Sequence, residues 1–524
     1  MPINFLPNDP RAATQMPLRK QMPRKRPPGR ARLSFPSPAP VEAPAKPGTP
    51  AFLFWQCREA VLAALEMWEQ LDAPVKKWAK IPATKTLKVK VNAGKDLNAY
   101  YDRKALLFYH FPVGSKTLFT GESTDAVSHE CGHALLDSIR PDLWHSNYSE
   151  ISAFHEGFAD CVALLTALHD KATRVKLLKV TKDLSKPSFV ETMAEDVAAA
   201  IKATEGAFHP SAEPRHALNK FKWALPENLP PVGSPQVLSS EFHSFARVFV
   251  GCFYDVVRSI FAKQPSRTEA SLLTAAQISM KLLIDGARNA PYEPRFYRAI
   301  GRAMLLADRE QNGGKHKAQI QKAFLLHGVA LGEPGAVAAV ATLAGAAPKM
   351  KGKAKAKSLV PAAATIKDVR ARIGGKSSYK FAMRSLRMGD GQVSELVYPK
   401  HVPLDSLGSE LKGVVGVGHL STLVGSDNKQ AALFGNPVPP SVAEAEVRSF
   451  VRGLLKFNRL QCAGTTARVG EAKKARAKRA GAKRAGAKSA GSESRGVRLP
   501  THRIVTRGGT KTVERLRFAC GCGI

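Results

Sequence analysis

The chain has few cysteines, and they follow no pattern. The 524 residues include seven cysteines, an odd number without framework spacing. This argues against a small secreted domain held together by disulfides and favours a reducing compartment. Cys520 and Cys522 could bind a metal or form a redox pair, but two thiols alone do not make a zinc site. Incidental cysteines are therefore the preferred interpretation.

Long hydrophobic runs are also missing. Met1 to Pro50 contains no apolar run of seven or more residues, so no conventional signal peptide is recognisable. No stretch reaches the roughly 18 apolar residues that a membrane-spanning helix needs. We therefore expect no transmembrane segment and a cytoplasmic location by default, with export by an unconventional route left open.

Acidic residues are scarce relative to basic ones. The chain has 79 Lys and Arg against 43 Asp and Glu, a formal net charge of +36. Such an excess suggests a polyanionic partner, either nucleic acid or an anionic surface. The charge is concentrated near the ends, so solvated, disordered tails are the alternative explanation. A hydrophobic content of 44% suits a soluble globular protein.

Composition and periodicity divide the chain into folded and biased segments. The predicted parts are a disordered basic, Pro-rich leader (1–50), the N-terminal α/β part of a folded unit (51–145), its helical C-terminal part (146–335), an uncertain small domain or linker (336–460), a disordered Lys/Arg/Ala-rich linker (461–500) and a C-terminal hairpin (501–524).

The folded unit begins with a mixture of predicted helix and strands and continues with predicted helices alone. An amphipathic helix over Phe52–Leu71 precedes the alternating run Thr86–Val91, which predicts a strand with one exposed face. Two further strands are predicted around a turn at residues 102–104. From Ser149 to about Val329 the pattern is almost entirely helical. A small mixed sheet followed by a helical half indicates an α+β fold.

The segment Ser-His-Glu-Cys-Gly-His, Ser128 to His133, lies on a predicted helix. Residues four apart share a helix face, so His129 and His133 can offer two imidazole nitrogens to one metal ion. Glu130, one step around the helix, would lean over the metal's water instead. This is the HExxH arrangement of zinc hydrolases, with two His ligands and a Glu general base.

A third ligand is predicted on the next helix. Glu156 and Asp160 lie four residues apart among small and apolar neighbours. A buried carboxylate pair without a cation would be costly, and the apolar neighbours disfavour a solvent-facing position. The pair is explained if Glu156 binds the metal and Asp160 accepts a hydrogen bond from a ligand histidine. His155 is a competing ligand, but it points to another face and is interpreted as a bystander.

A largely apolar helix over Glu241–Phe261 carries one polar stripe. His243, Arg247 and Tyr254 fall on that stripe with helical spacing. Polar groups on a buried helix need partners, which an active-site cleft would supply; satisfied polar groups in the core are the alternative.

Residues 97 to about 331 resemble a thermolysin-like zinc peptidase of the gluzincin class, in which a downstream Glu in an ExxxD pattern completes HExxH. The resemblance implies a zincin-like fold and one catalytic Zn²⁺ held by His129, His133 and Glu156. It also implies that Asn98 and Ala99 bind the substrate backbone on a cleft-edge strand, and that His243 helps to stabilise the transition state.

Two features of the predicted site depart from the pattern of that family. At the spacing most similar to the family's transition-state tyrosine stands Trp144, with Tyr148 the nearest tyrosine and His145 an alternative donor. The acidic cluster that holds structural calcium is not evident after Asp160, so calcium is not expected.

The resulting hypothesis is a zinc-dependent endopeptidase that acts on peptides or proteins. Glu130 is the expected general base, and His243, with Tyr148 or His145, would bind the oxyanion while Arg247 braces it. The alternatives are a nucleic-acid-binding protein with a peptidase-like scaffold, and a protease tethered to nucleic acid by its basic tails. A purely structural zinc protein is disfavoured because only three ligands are evident.

Overall fold

The computed structural model describes residues 1–332, 361–372, 380–388, 391–425, 438–462 and 500–519. Within these ranges the fold is α+β, as predicted. The helices are α1 (Pro50–Leu71), α2 (Thr124–Ile139), α3 (Ser149–His169), α4 (Lys171–Thr181), α5 (Glu195–Glu205), α6 (Phe242–Ala262), α7 (Glu269–Asn289), α8 (Phe296–Asn312), α9 (Lys317–Leu326), α10 (Ala363–Arg372) and α11 (Pro440–Lys456).

The strands are short in the N-terminal half and longer towards the C-terminus. They are β1 (Ile3–Phe5), β2 (Arg19–Gln21), β3 (Leu33–Ser34), β4 (Leu87–Lys90), β5 (Ala99–Tyr101), β6 (Ala105–Phe108), β7 (His110–Val113), β8 (Lys116–Phe119), β9 (Thr192–Met193), β10 (Arg215–His216), β11 (Ala382–Met388), β12 (Gly391–Pro403), β13 (Val414–Val424), β14 (Leu460–Gln461), β15 (His502–Arg507), β16 (Thr510–Arg515) and β17 (Phe518–Ala519).

A five-stranded mixed sheet lies beside the helix that carries HExxH. Its strand order is β17-β5-β6-β4-β3, and β4 runs parallel to β3 and β6 whereas β5 runs antiparallel to β6 and β17. In β4, Leu87 and Val89 are buried while Lys88 and Lys90 are exposed, the period of two that predicted this strand. The small mixed sheet predicted from the sequence is therefore present, and its strand β5 contacts α2.

Helix α3 runs through the middle of the helical half. Every residue from Ser149 to Leu168 is buried, and α3 contacts α1, α2, α6, α7 and α8. By length and composition α3 could cross a membrane, and it is the one such helix in the described part of the chain. Because neighbouring helices cover it completely, α3 is a core helix in this fold.

Helices α2 and α3 approach each other very closely at Gly132. A Cβ atom at residue 132 would lie 2.6 Å from the Cα atom of Ala159, a distance that real side chains do not tolerate. The glycine inside HExxH therefore permits a backbone approach that brings His129 and His133 up to the side chains of α3.

The leader over residues 1–50 was predicted to be disordered, and the structure corrects this. Strand β1 pairs with β2, and β3 joins the five-stranded sheet. Its basic residues pair with acids on α1: Arg24 lies 3.2 Å from Glu59, and Arg26 lies 3.2 Å from Glu69. Composition could not reveal this, because the compensating charges lie on a separate helix.

The C-terminal part forms a second sheet with strand order β11-β12-β13-β16-β15-β14. The hairpin predicted from Gly508–Gly509 is present as β15 and β16, and the predicted helix over Ala443–Phe457 corresponds to α11. However, β16 pairs with β13 and β15 pairs with β14. The parts predicted to be separate over 336–460 and 501–524 thus share one sheet, a long-range pairing that local sequence patterns do not encode.

Some predictions concern residues outside the described ranges. The disordered linker predicted over 461–500 falls almost entirely there, as do Cys520 and Cys522.

Gly132→Ala should destabilise the protein, since the added Cβ would collide with the backbone of α3. We expect the free energy of unfolding to fall by about 1–3 kcal/mol or more, the usual range for overpacking, as measured by denaturant titration. The control is Gly453→Ala in α11, where nothing lies within 4 Å of the new Cβ atom. Equal stability of the two variants would contradict the close helix approach.

Candidate metal centre and active site

The two histidines of HExxH project from the same face of α2. Ser123 caps this helix, its Oγ accepting a hydrogen bond from the Ala126 backbone nitrogen at 3.3 Å. Ligand atoms of His129, Glu130 and His133 all lie within 4.8 Å of one another, and all three residues are buried. The helical spacing thus brings together the residues that the sequence predicted to meet.

Glu156 on α3 completes the cluster. Its Oε2 lies 3.3 Å from Nε2 of His129 and 3.4 Å from Nε2 of His133. Metal–ligand distances of about 2.0–2.1 Å in a tetrahedral zinc site separate neighbouring ligand atoms by roughly 3.3–3.4 Å. Both distances from Glu156 therefore match the spacing between ligands of one tetrahedral zinc ion.

Hydrogen bonds behind the cluster determine which ring nitrogens carry protons. Nδ1 of His129 lies 2.8 Å from Oδ1 of Asp160. A carboxylate only accepts, so Nδ1 carries the proton and Nε2 keeps its lone pair. Nδ1 of His133 lies 2.8 Å from Nδ1 of His155, whose pKa is lowered well below its usual range by burial. A neutral His155 can accept this hydrogen bond and likewise leave a lone pair on Nε2 of His133.

His155 was interpreted as a bystander, and the structure corrects this. It contacts His133 through a hydrogen bond and also lies close to it ring to ring, with centroids 5.0 Å apart. Its Nδ1 lies within hydrogen-bond distance of Nδ1 of His133, so His155 is positioned to orient the His133 ring. Helical spacing shows which residues share one face of α3, but it does not show which side chains of α2 lie opposite them.

Arg215, which no sequence pattern indicated, forms an ion pair with Asp160. Its Nε and Nη2 donate to the two carboxylate oxygens at 2.9 and 2.7 Å. Burial alone would raise the pKa of Asp160, but Arg215 and His129 hold it below its usual range. Arg215 lies on β10 at the end of a Pro-containing break, and no periodic pattern marked it.

The donor set fits a divalent metal such as zinc. Nε2 of His133 is buried without a hydrogen bond within the described part of the chain, and it faces Oε2 of Glu156 at 3.4 Å. Leaving such a nitrogen unsatisfied is costly, whereas a metal ion would bind both atoms. Burial would raise the pKa of Glu156, but His243 and His133 hold it well below its usual range, so the carboxylate is ionised and able to bind a cation.

His243 reaches the same carboxylate from the start of α6. Its Nε2 lies 3.1 Å from Oε2 of Glu156, and its Nδ1 lies 2.8 Å from Oε1 of Glu241. Burial would lower the pKa of His243, but these two carboxylates raise it to about 10. Arg459, beyond α11, pairs with Glu241 at 3.2 Å. The sequence had marked neither Glu241 nor Arg459, although Glu241 stands at the predicted start of this helix.

Comparison with known families identifies this part of the chain. Residues 123–332 match the family model of the fungalysin metallopeptidases (M36). The matched segment runs from the cap of α2 past the end of α9 and contains all the cluster residues. A search of curated proteins found no significant match. The predicted resemblance to a thermolysin-like zinc peptidase is thus confirmed, and the chain is a zinc metallopeptidase, a hydrolase of peptides or proteins.

Just before the fungalysin-like segment, Asn98 and Ala99 lie at the start of β5. Asn98 is buried, and its backbone oxygen accepts a hydrogen bond from Oγ1 of Thr120 at 3.1 Å. Its side-chain oxygen accepts from the Ala99 nitrogen at 2.9 Å. Ala99 pairs with Phe108 in the ladder between β5 and β6. Substrate binding by these two residues stays a prediction.

The role predicted for Tyr148 stays a prediction, and its side chain makes a structural contact. Its hydroxyl donates to the backbone oxygen of His419 on β13 at 2.7 Å, so it anchors the C-terminal sheet to the start of α3. The alternative, His145, has its pKa lowered to about 3, first by burial and then by Arg103 and Arg515. Trp144, at the family's tyrosine spacing, donates from Nε1 to the backbone oxygen of Arg515 at 3.3 Å.

Arg247 lines the same cavity as His243, but its donors bond the preceding loop and Ser244 in the first turn of α6. Its Nη2 donates to the Val237 backbone oxygen at 2.9 Å and to Oγ of Ser244 at 2.7 Å. The guanidinium also stacks over the ring of Phe221 at 4.0 Å. Arg247 thus braces the loop that leads into α6, and its contact with substrate stays a prediction.

Asp160→Asn should weaken zinc binding by about 10- to 100-fold, the usual cost of removing a hydrogen-bond partner behind a metal ligand. The change replaces the carboxylate that holds the proton on Nδ1 of His129 with a neutral amide, and it sets an NH2 group against the donors of Arg215. Competition with a chromophoric chelator measures the affinity.

The matched control is Asp137→Asn, which also disrupts a buried Asp–Arg pair, here with Arg103 at 3.0 Å, but without a cluster contact. This control should lower stability and leave zinc affinity within about twofold of wild type. Equal losses of affinity in both variants would contradict a specific role for Asp160.

Proposed function

We propose that the chain is an endopeptidase with one zinc ion held by His129, His133 and Glu156. The observation that carries this proposal is the approach of Glu156 Oε2 to the two Nε2 atoms at 3.3 and 3.4 Å. Both rings can present lone pairs there, because Asp160 and His155 engage their far nitrogens. Bound zinc would supply a Lewis acid that polarises the scissile carbonyl and acidifies water.

Glu130 is the proposed general base. Its carboxylate is fully buried beside the two histidines and lies on the same helix. It would take a proton from the attacking water as the new C–O bond forms. It would then deliver that proton to the leaving amine as the C–N bond breaks.

His243 is the proposed donor to the developing oxyanion. Glu241 accepts from Nδ1 at 2.8 Å, which fixes the ring and leaves the proton on Nε2 directed into the cluster. A positioned cationic donor stabilises negative charge that appears only in the transition state. Arg459 in turn holds Glu241, so this ring is oriented by two successive ion pairs.

Glu130→Gln and Glu156→Ala should separate catalysis from metal binding. Glu130→Gln should keep one zinc per chain and no calcium, and lose about 10²- to 10⁴-fold in turnover, because only the proton acceptor is removed. Glu156→Ala should lose zinc as well as activity. Elemental analysis and cleavage of a quenched peptide library measure the two effects.

The matched control is Glu150→Gln, another buried glutamate of α3. It contacts Trp223 and the Tyr297 backbone nitrogen instead of the cluster. Zinc content and turnover of this control should stay near wild type. Full activity in Glu130→Gln would reject the general base, and normal zinc content in Glu156→Ala would reject the third ligand.

Binding of nucleic acid or another polyanion is the second candidate function, alongside proteolysis or in its place. It is supported by the net charge of +36 and by basic segments at 349–357 and 471–490, which lie outside the described residues. The leader is a weaker candidate, since several of its arginines already pair with α1.

A gel shift with a duplex of unrelated sequence should show binding that weakens steeply with salt, by at least about tenfold between 50 and 200 mM. Glu130→Gln should bind equally well. Absence of any shift at low salt would reject this candidate.

A further inference from the structure

The last described strand of the chain pairs with the sheet beside the candidate active site. Strand β17 occupies the edge position next to β5, with Phe518 opposite Tyr101 and Ala519 opposite Tyr100. It follows directly after β16, which belongs to the other sheet. The chain therefore crosses from the C-terminal sheet to complete the edge of the sheet that flanks α2.

Phe518 places its ring against the histidines of the site. It is only 1% exposed, and its ring centroid lies 3.8 Å from that of His155 and 4.7 Å from that of His133, both in stacked geometry. The rings of Trp144 and Phe518 also contact each other edge to face, with their centroids 5.2 Å apart. The segment that forms β17 is thus in direct contact with a proposed metal ligand.

Two arginines next to β17 contact the rings on either side of the strand pairing. Arg515, 5% exposed, lies over the Phe518 ring at 3.9 Å and donates to the Trp144 backbone oxygen at 3.2 Å and to Oγ of Ser152 at 2.6 Å. Arg517 lies over the ring of Tyr100 at 5.3 Å. Burying a guanidinium is costly unless its donors are satisfied, so the two hydrogen bonds of Arg515 stabilise the segment in this position.

Strand β17 pairs with β5 at Tyr100 and Tyr101, directly after Asn98 and Ala99, the residues expected to bind the substrate backbone. Extended peptides commonly bind by adding a strand to an open sheet edge. At one end of the sheet lies β3, and at the other end β17 covers the outer side of β5, the strand that contacts α2. With β17 in place, His129, Glu130, His133 and Glu156 are each no more than 2% exposed.

We propose that residues 515–519 form an autoinhibitory strand, which pairs with β5 where a peptide substrate would pair and places Phe518 against His133 and His155. This inference rests on the proposed peptidase function. Activity then requires displacement of the segment from β5. The occupant of the cleft is the chain's own C-terminal segment, so the resting enzyme is closed to substrate.

Two full-length variants test the proposal. Phe518→Ala removes the ring that stacks on the histidines. Arg517→Glu removes the cation over Tyr100 at a half-buried position, where folding should be preserved, and brings a carboxylate near Asp96. Both zinc-loaded variants should show kcat/KM at least tenfold above wild type with quenched peptides. The matched control is Phe54→Ala, an equally large buried ring in a separate cluster with Ile3 and Trp55, which should stay within twofold.

Hydrogen exchange provides a readout that does not depend on zinc or turnover. Amide hydrogens of β5 should exchange at least tenfold faster in both variants than in wild type or Phe54→Ala, because the pairing with β17 is lost. Unchanged exchange in both variants would overturn the displacement of the strand.

The outcomes separate the two proposals. If wild type cleaves peptides and both variants stay within twofold of it or fall below it, the peptidase function stands and autoinhibition is overturned. If no zinc-loaded form cleaves any peptide, the proposed function itself has failed, and autoinhibition fails with it.

Discussion

A carboxylate buried among three imidazoles is the interaction on which the rest of this structure depends. Oε2 of Glu156 lies within 3.1–3.4 Å of nitrogens from His129, His133 and His243. Such a carboxylate is tolerated away from water only where opposite charge or a metal compensates it. It can reach the HExxH face only because Gly132 lets the backbones of α2 and α3 come together. The close packing of α2 against α3 is therefore a condition for assembling the metal ligands.

Two series of paired charged side chains surround that carboxylate, and their members lie far apart in the sequence. Arg215 holds Asp160, which engages His129, and Arg459 holds Glu241, which engages His243. Each partner fixes the orientation of the next side chain, and this sets which ring nitrogens face the cluster. A site of this kind is preorganised by the fold because the orienting groups lie on β10, α3 and α6 and beyond α11, in separate parts of the chain.

The C-terminal half packs directly against the peptidase segment. Tyr148 donates to β13, Arg459 reaches Glu241, and Phe518 lies against His133. The match to fungalysin ends at residue 332, yet contacts from residues well beyond it enclose the centre. An edge strand that would otherwise be open is paired by the chain itself, which also protects the sheet from unwanted association.

The sequence by itself determined which site residues share one face of the same helix. Helical spacing joins His129, Glu130 and His133, and the same spacing on an apolar helix marked Glu156 and Asp160, since four-residue periodicity is a property of the helix alone. Only the tertiary structure decided what meets those residues. Arg215, Arg459 and Phe518 come from elements 55 to more than 350 residues away from the side chains they contact, joined by ion pairs and by a two-residue strand pairing. Such contacts leave no periodic trace, because they depend on how whole helices and sheets pack and not on neighbours along the chain.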